Sequence, residues 1–156
     1  MLDLQVRKDH IYMKNTSGGS LAAGDVVILK SVAAGDEVTT TTTAGDDKVI
    51  GMAVETIAST ASGRFQTRGK TTVLKVNGTT DIAIGDFLST FTTAKIAKKA
   101  SAGETAFAIA LEAYATNDSN GVIDAILIPP RVVSATTIDH GGLSGPCVAV
   151  GRDPHR

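Results

Sequence analysis

The feature that most limits how this chain can fold is an internal repeat. Sliding the sequence on itself by roughly 60 residues, a shift that suggests duplicated supersecondary units, lays Ala23-Gly24-Asp25-Val26-Val27 over Ile84-Gly85-Asp86-Phe87-Leu88. In the same order, Ala44-Gly45-Asp46 falls on Ala102-Gly103-Glu104, Met52-Ala53-Val54-Glu55 on Ile109-Ala110-Leu111-Glu112, and Ser62-Gly63-Arg64-Phe65 on Asn120-Gly121-Val122-Ile123. Each copy reads as a Gly-Asp turn into an apolar strand, a polar Thr/Lys-rich excursion, an Ala-Gly turn, a strand ending in Glu, and a Gly turn into a last strand. Neither copy is large enough to hide an apolar face alone, so the two are expected to pack together.

The texture between these landmarks is that of strands. Runs such as Val26-Val27-Ile28-Leu29 and Thr71-Thr72-Val73-Leu74-Lys75-Val76 are rich in β-branched residues and bounded by turn signals. Asn77-Gly78 has the form of a hairpin turn, and Ala106 to Ala115 lacks the caps and sustained stripe of a helix, leaving room for a short one at most. The expected fold is all-β: a compact pseudo-symmetric two-repeat barrel over residues 20–130, with repeats of about 20–78 and 79–130. Its core candidates are Val27, Leu29, Ile50, Met52, Val54, Leu74, Leu88, Ile109, Leu111, Ile123 and Ile126. Residues 1–19 read as an amino-terminal arm, and residues 131–156 as a tail, because the Pro129-Pro130 step has no N–H groups to donate to a ladder.

Composition narrows the function. The 15 basic and 16 acidic residues nearly cancel, so no overall field draws in a polyanion and direct nucleic-acid binding is not expected. Aromatic residues are 4% with no Trp, too few for sugar platforms or base-stacking surfaces. The start, Met1 to Lys8, is charged before any apolar stretch develops, and no segment is long enough to span a bilayer. A cytoplasmic product without membrane attachment is expected.

Candidate chemistry is sparse. His10, His140 and His155 match no metal spacing, and Cys147 lies in a Gly/Pro-rich stretch with no scaffold to fix a thiolate. Asp25 and Asp86, with Glu55 and Glu112, recur between the repeats and invite comparison with a paired-carboxylate site. An Asp after Gly at a strand entry more simply accepts backbone N–H bonds in its own turn. Asp25 and Asp86 are therefore expected to cap turns. Ser17-Gly18-Gly19-Ser20 lacks the lysine and helix of a phosphate loop and reads as a linker. The basic positions Arg64, Arg68, Lys70, Lys95, Lys98 and Lys99 suit the edge of a protein contact, and the Thr39 to Thr43 run suits either an edge strand or a soluble excursion. No catalytic residue, metal or cofactor is expected.

The segments Leu21-Ala22-Ala23-Gly24-Asp25-Val26-Val27, Ala44-Gly45-Asp46 through Val49-Ile50-Gly51-Met52-Ala53, Ile84-Gly85-Asp86-Phe87-Leu88 and Ala108-Ile109-Ala110-Leu111-Glu112 resemble those of tailed-bacteriophage head-decoration, or capsid cement, proteins. The resemblance covers residues 20–130. It implies a β-tulip-like or β-clip-like body that forms homotrimers on the outer surface of the expanded head, with the major capsid protein as partner. Thr136 to Gly145, with Asp139-His140-Gly141-Gly142-Leu143-Ser144-Gly145, resembles an opening found in phage head-fibre proteins and departs from it after Gly145.

Within that frame the residues expected to touch the coat are Leu2, Leu4, Val6, Ile11 and Tyr12, hydrophobes outside the repeat that would otherwise lie exposed. Two rival roles remain: a head- or tail-fibre attachment module, and a small-ligand-binding enzyme or chaperone using the Asp/Glu pairs.

Overall fold

The structure, a computed structural model, describes residues 9–31 and 35–134. All regular structure in that range is β. The first repeat supplies β1 (His10–Asn15), β2 (Val26–Leu29), β3 (Glu37–Thr39), β4 (Val49–Ala53) and β5 (Ser62–Gln66). The second supplies β6 (Gly69–Val76), β7 (Phe87–Thr90), β8 (Ala97–Lys99), β9 (Thr105–Ala110) and β10 (Gly121–Val132).

The two-repeat β architecture expected from the sequence is present, with each repeat closed on itself. The strands run β1-β3-β2-β4-β5 in one closed barrel and β10-β6-β8-β7-β9 in the other, the same ring strand for strand. Only β1/β3 and β6/β8 pair in parallel. Backbone hydrogen bonds fix the equivalence. Gly24 N–H donates to Ala53 O at 2.8 Å and Ala53 N–H to Asp25 O at 2.9 Å; Gly85 and Ala110 make the same pair of bonds, at 2.8 and 2.9 Å, in the second repeat. Isolated bridges Leu21↔Ile57 and Ile82↔Tyr114 add a second match.

Several boundaries differ from the sequence expectation. His10–Asn15, placed in the arm, is β1 of the first barrel, paired along its length with β5. The repeats divide at Thr67-Arg68, not near residue 78, because β6 closes the second barrel against β10. Asn77-Gly78 makes no hairpin: β6 neighbours β8 and β10, so the chain leaves β6 by a crossover. Asn77 Oδ1 accepts Thr79 N–H at 3.0 Å in a local turn. The strand β10 continues past Pro129-Pro130 to Val132, since the register breaks between Leu127 and Arg131 and the missing proline donors fall in that break.

Two apolar clusters hold the body. Met13, Leu21, Val27, Val38, Ala53, Ile57 and Phe65 fill the first barrel. The second cluster contains Leu74, Val76, Ile82, Leu88, Phe107, Ile123 and Leu127, and also Val26, Ile28, Val49 and Met52 from the outer side of the first repeat. One core thus runs across both barrels. It can do so because Ala106, Ala108 and Ala110 of β9 are all buried and small, which lets β4 lie close to β9. A strand covered on both sides is apolar without alternation, the reason this stretch read ambiguously. Of the core candidates, Leu29 and Ile126 are exposed, and Ile50, Val54, Ile109 and Leu111 are half-buried.

Candidate functional site

The recurrent acids are engaged with their own backbone. Asp25 Oδ2 accepts Ala22 N–H at 2.9 Å and Asp86 Oδ2 accepts Ala83 N–H at 2.8 Å. Glu55 Oε1 accepts Arg64 N–H at 3.0 Å, and Glu112 Oε2 accepts Asp124 N–H at 3.2 Å. Asp25 is buried and also meets the ammonium groups of Lys75 and, at 3.8 Å, Lys95, both from the second repeat. Its counterpart Asp86 pairs with Lys99 at 2.9 Å inside its own repeat. Among the described residues no group of three or more His, Cys, Asp or Glu side chains converges on a metal-sized site.

Glu104 accepts hydrogen bonds from three different residues. Burial opposes its ionisation, but hydrogen bonds from Lys98 Nζ, Ser101 N–H and Ser89 Oγ outweigh that and hold its carboxyl below the ordinary glutamate range. It stands at the contact between repeats, since a Cβ placed on Gly45 would fall 2.5 Å from Glu104 Cγ. On the surface, Arg64 lowers the Glu55 carboxyl by a direct side-chain hydrogen bond.

An open apolar groove of about 610 Å³ is lined by Ile11, Tyr12, Leu29, Ile50, Arg68 and Pro129, among others. Both Tyr12, 70% exposed with its hydroxyl donating to Ser62 O at 3.3 Å, and Ile11 are exposed there. The structure therefore places two of the expected coat-contact residues, Ile11 and Tyr12, together on β1 with Leu29 and Pro129 beside them. Leu2, Leu4 and Val6 lie outside the described residues, as do His140, His155, Cys147 and the Asp139–Gly145 segment. Arg64, Arg68, Lys70 and Lys98 each sit in ion pairs, with Glu55, Asp9, Asp124 and Glu104 respectively, and do not form one basic face.

The sequence expectation passed over exposed apolar residues on the opposite repeat. Ile84 is 70% exposed at the tip of its turn, and Val122 and Val132 are exposed on β10 beside Ile126, which was expected in the core. The repeat itself held the signal for Ile84: it replaces Ala23, a small residue, at a position where solvent would favour one.

A family model described as "Phage cement protein" matches residues 4–125. Among solved structures, the fold is similar to "The crystal structure of head fiber gp8.5 N base in bacteriophage phi29", with a TM-score of 0.51 and 14% identity, covering 77% of this chain and 95% of that one. No curated protein sequence matches significantly. The family match takes in all of the first barrel and the second as far as Ala125, partway along β10, and so the chain belongs to the phage cement protein family.

Proposed function

We propose that this structural phage protein decorates the outer surface of the expanded head as a homotrimer, binding the major capsid protein and stabilising the shell. The observation that carries the reading is the family match across both repeats, joined to a body whose acids hold turns and whose surface carries an open apolar groove. Residues 1–8, with Leu2, Leu4 and Val6 alternating with polar neighbours, lead directly into β1. They serve as the coat-binding arm, with Ile11 at its root. Adhesion follows from number: many identical copies bridging coat-subunit seams add small binding energies into shell stability.

The chain without residues 1–8 should fold, yet fail to co-sediment with expanded heads. Full-affinity binding by the shortened chain would remove the arm from the account. A second reading, a base that carries a head fibre, is favoured by the likeness to the head-fibre base. Negative-stain images of virions separate the two, since a fibre projects and a cement knob does not.

A further inference from the structure

The two repeats meet by an unsymmetrical joint, in which one end of the first is seated on one edge of the second. Gly24 O accepts Lys75 N–H at 3.3 Å, and Val26 N–H donates to Lys95 O at 3.0 Å. Asp25 faces the ammonium groups of Lys75 and Lys95, and Thr71 Oγ1 meets Met52 Sδ at 3.5 Å. The fit is close: a Cβ on Gly24 would lie 1.9 Å from Val73 O.

Because the second repeat folds in the same way, the molecule carries another copy of each half of this joint. On the seated side, Ile84 corresponds to Ala23, Asp86 to Asp25, Phe87 to Val26 and Ile109 to Met52, by the matched hydrogen bonds. In the first repeat Asp25, Val26 and Met52 are buried. In the second their counterparts Asp86, Phe87 and Ile109 are half-buried, Ile84 is exposed where Ala23 is half-buried, and a Cβ at Gly85 would meet nothing within 4 Å. Ile126, paired with Ile109, adds to this apolar end.

The receiving edge is duplicated too. Asn15 pairs with Val38 as Val76 pairs with Ala97, which sets Lys14 at the place of Lys75 and Tyr12 at that of Val73. Lys14 is exposed where Lys75 is half-buried, Tyr12 is 70% exposed against 37% for Val73, and among the described residues Lys14 has no ion pair. The seated end and the receiving edge left unused thus belong to different repeats. Two complementary halves of one unsymmetrical contact join copies head to tail.

We propose that a second copy of this chain covers them. The Ala83–Asp86 turn of one copy seats on the Tyr12–Lys14 edge of the next, with Asp86 facing Lys14 and with Ile84 and Phe87 closing over Tyr12. This joint differs from the internal one in two ways. Lys14 N–H is already bonded to Asp36 O at 2.9 Å, and Asp36 stands where the second repeat has Lys95. Contact between copies therefore rests on the apolar side chains and one ion pair, without inserted backbone bonds, and is the weaker of the two. It assigns Tyr12 to the neighbouring copy and leaves Ile11 and residues 1–8 for the coat. The proposal rests on the homotrimer reading, to which it gives an interface: three copies set six repeats in one closed ring.

The test is the sedimentation mass of the full chain and of Ile84→Asp and Lys14→Glu, two changes at exposed side chains. Each variant alone should be a monomer that keeps the wild-type far-ultraviolet circular dichroism spectrum, melting below the wild type only by what self-association contributes. Mixed, the two should form a one-to-one dimer, because Lys14→Glu keeps a sound turn end and Ile84→Asp a sound receiving edge. Variants that keep the wild-type oligomeric mass, or a mixture that stays monomeric, would overturn the joint while leaving the trimer standing. A wild-type chain that is itself monomeric would overturn the trimer reading and the joint together.

Discussion

Asp25 and Asp86 occupy equivalent turns, yet their surroundings set different costs for losing the charge. Asp25 is buried against Lys75 and Lys95 of the other repeat, whereas Asp86 keeps solvent contact and a single partner, Lys99. Asp25 is buried but the lysines it meets are about a third exposed, so its loss costs a charged hydrogen bond, about 2 kcal/mol, while the more exposed Asp86 loses only about 1 kcal/mol. Asp25→Asn should therefore lower unfolding stability by about 2 kcal/mol and Asp86→Asn by about 1 kcal/mol, read by urea denaturation; equal losses would contradict the cross-repeat role of Asp25. Glu104 gives a pH expectation. Its carboxyl is held below the ordinary glutamate range when folded, so its contribution is present above the unfolded value and is lost as pH falls through the folded one. Glu104→Gln should flatten the acid limb of a stability-versus-pH curve, and an unchanged limb would show that Glu104 does not drive it. A turn acid was legible in the sequence because Gly-Asp at a strand entry has a local explanation; its long-range partners were not, because lysines distant in sequence carry no mark of where the fold brings them.

At the scale of elements, the joint between repeats makes unequal demands on equivalent glycines. Gly24 and Gly85 have φ of +88° and +91°, so an alanine at either takes on left-handed strain of about 1 kcal/mol. Only Gly24 also lies against another element, with Val73 O 1.9 Å from a built Cβ. Gly85→Ala should cost about 1 kcal/mol and Gly24→Ala about 3 kcal/mol or more, from strain and overpacking together, measured by thermal unfolding. Similar losses at both sites would mean the turn is not clamped by β6. The strands in each repeat were readable from β-branched runs and turn residues. Their partners were not: Asn77-Gly78 has hairpin chemistry, but the parallel β6/β8 pairing takes the chain elsewhere. The prolines at 129 and 130 stop a regular ladder, yet a break in register lets β10 resume beyond them. Local residue preferences say where a ladder is interrupted, and tertiary pairing decides whether it restarts.

For the whole molecule, the repeat made the all-β duplicated body legible, while the closing of each copy into its own barrel was not. Duplication explains both the shared core, where Val26 and Met52 of one repeat join Leu74 and Phe107 of the other, and the uncovered apolar surfaces at Ile84 and Tyr12. A body of two β barrels sharing one core is consistent with the proposed adhesion in many copies. The most direct measurement is differential scanning calorimetry of expanded heads with and without the saturating protein. Decorated heads should come apart at a higher temperature, with the gain lost for the chain lacking residues 1–8. Heads that bind the protein fully and come apart at the same temperature as bare ones would contradict a stabilising role.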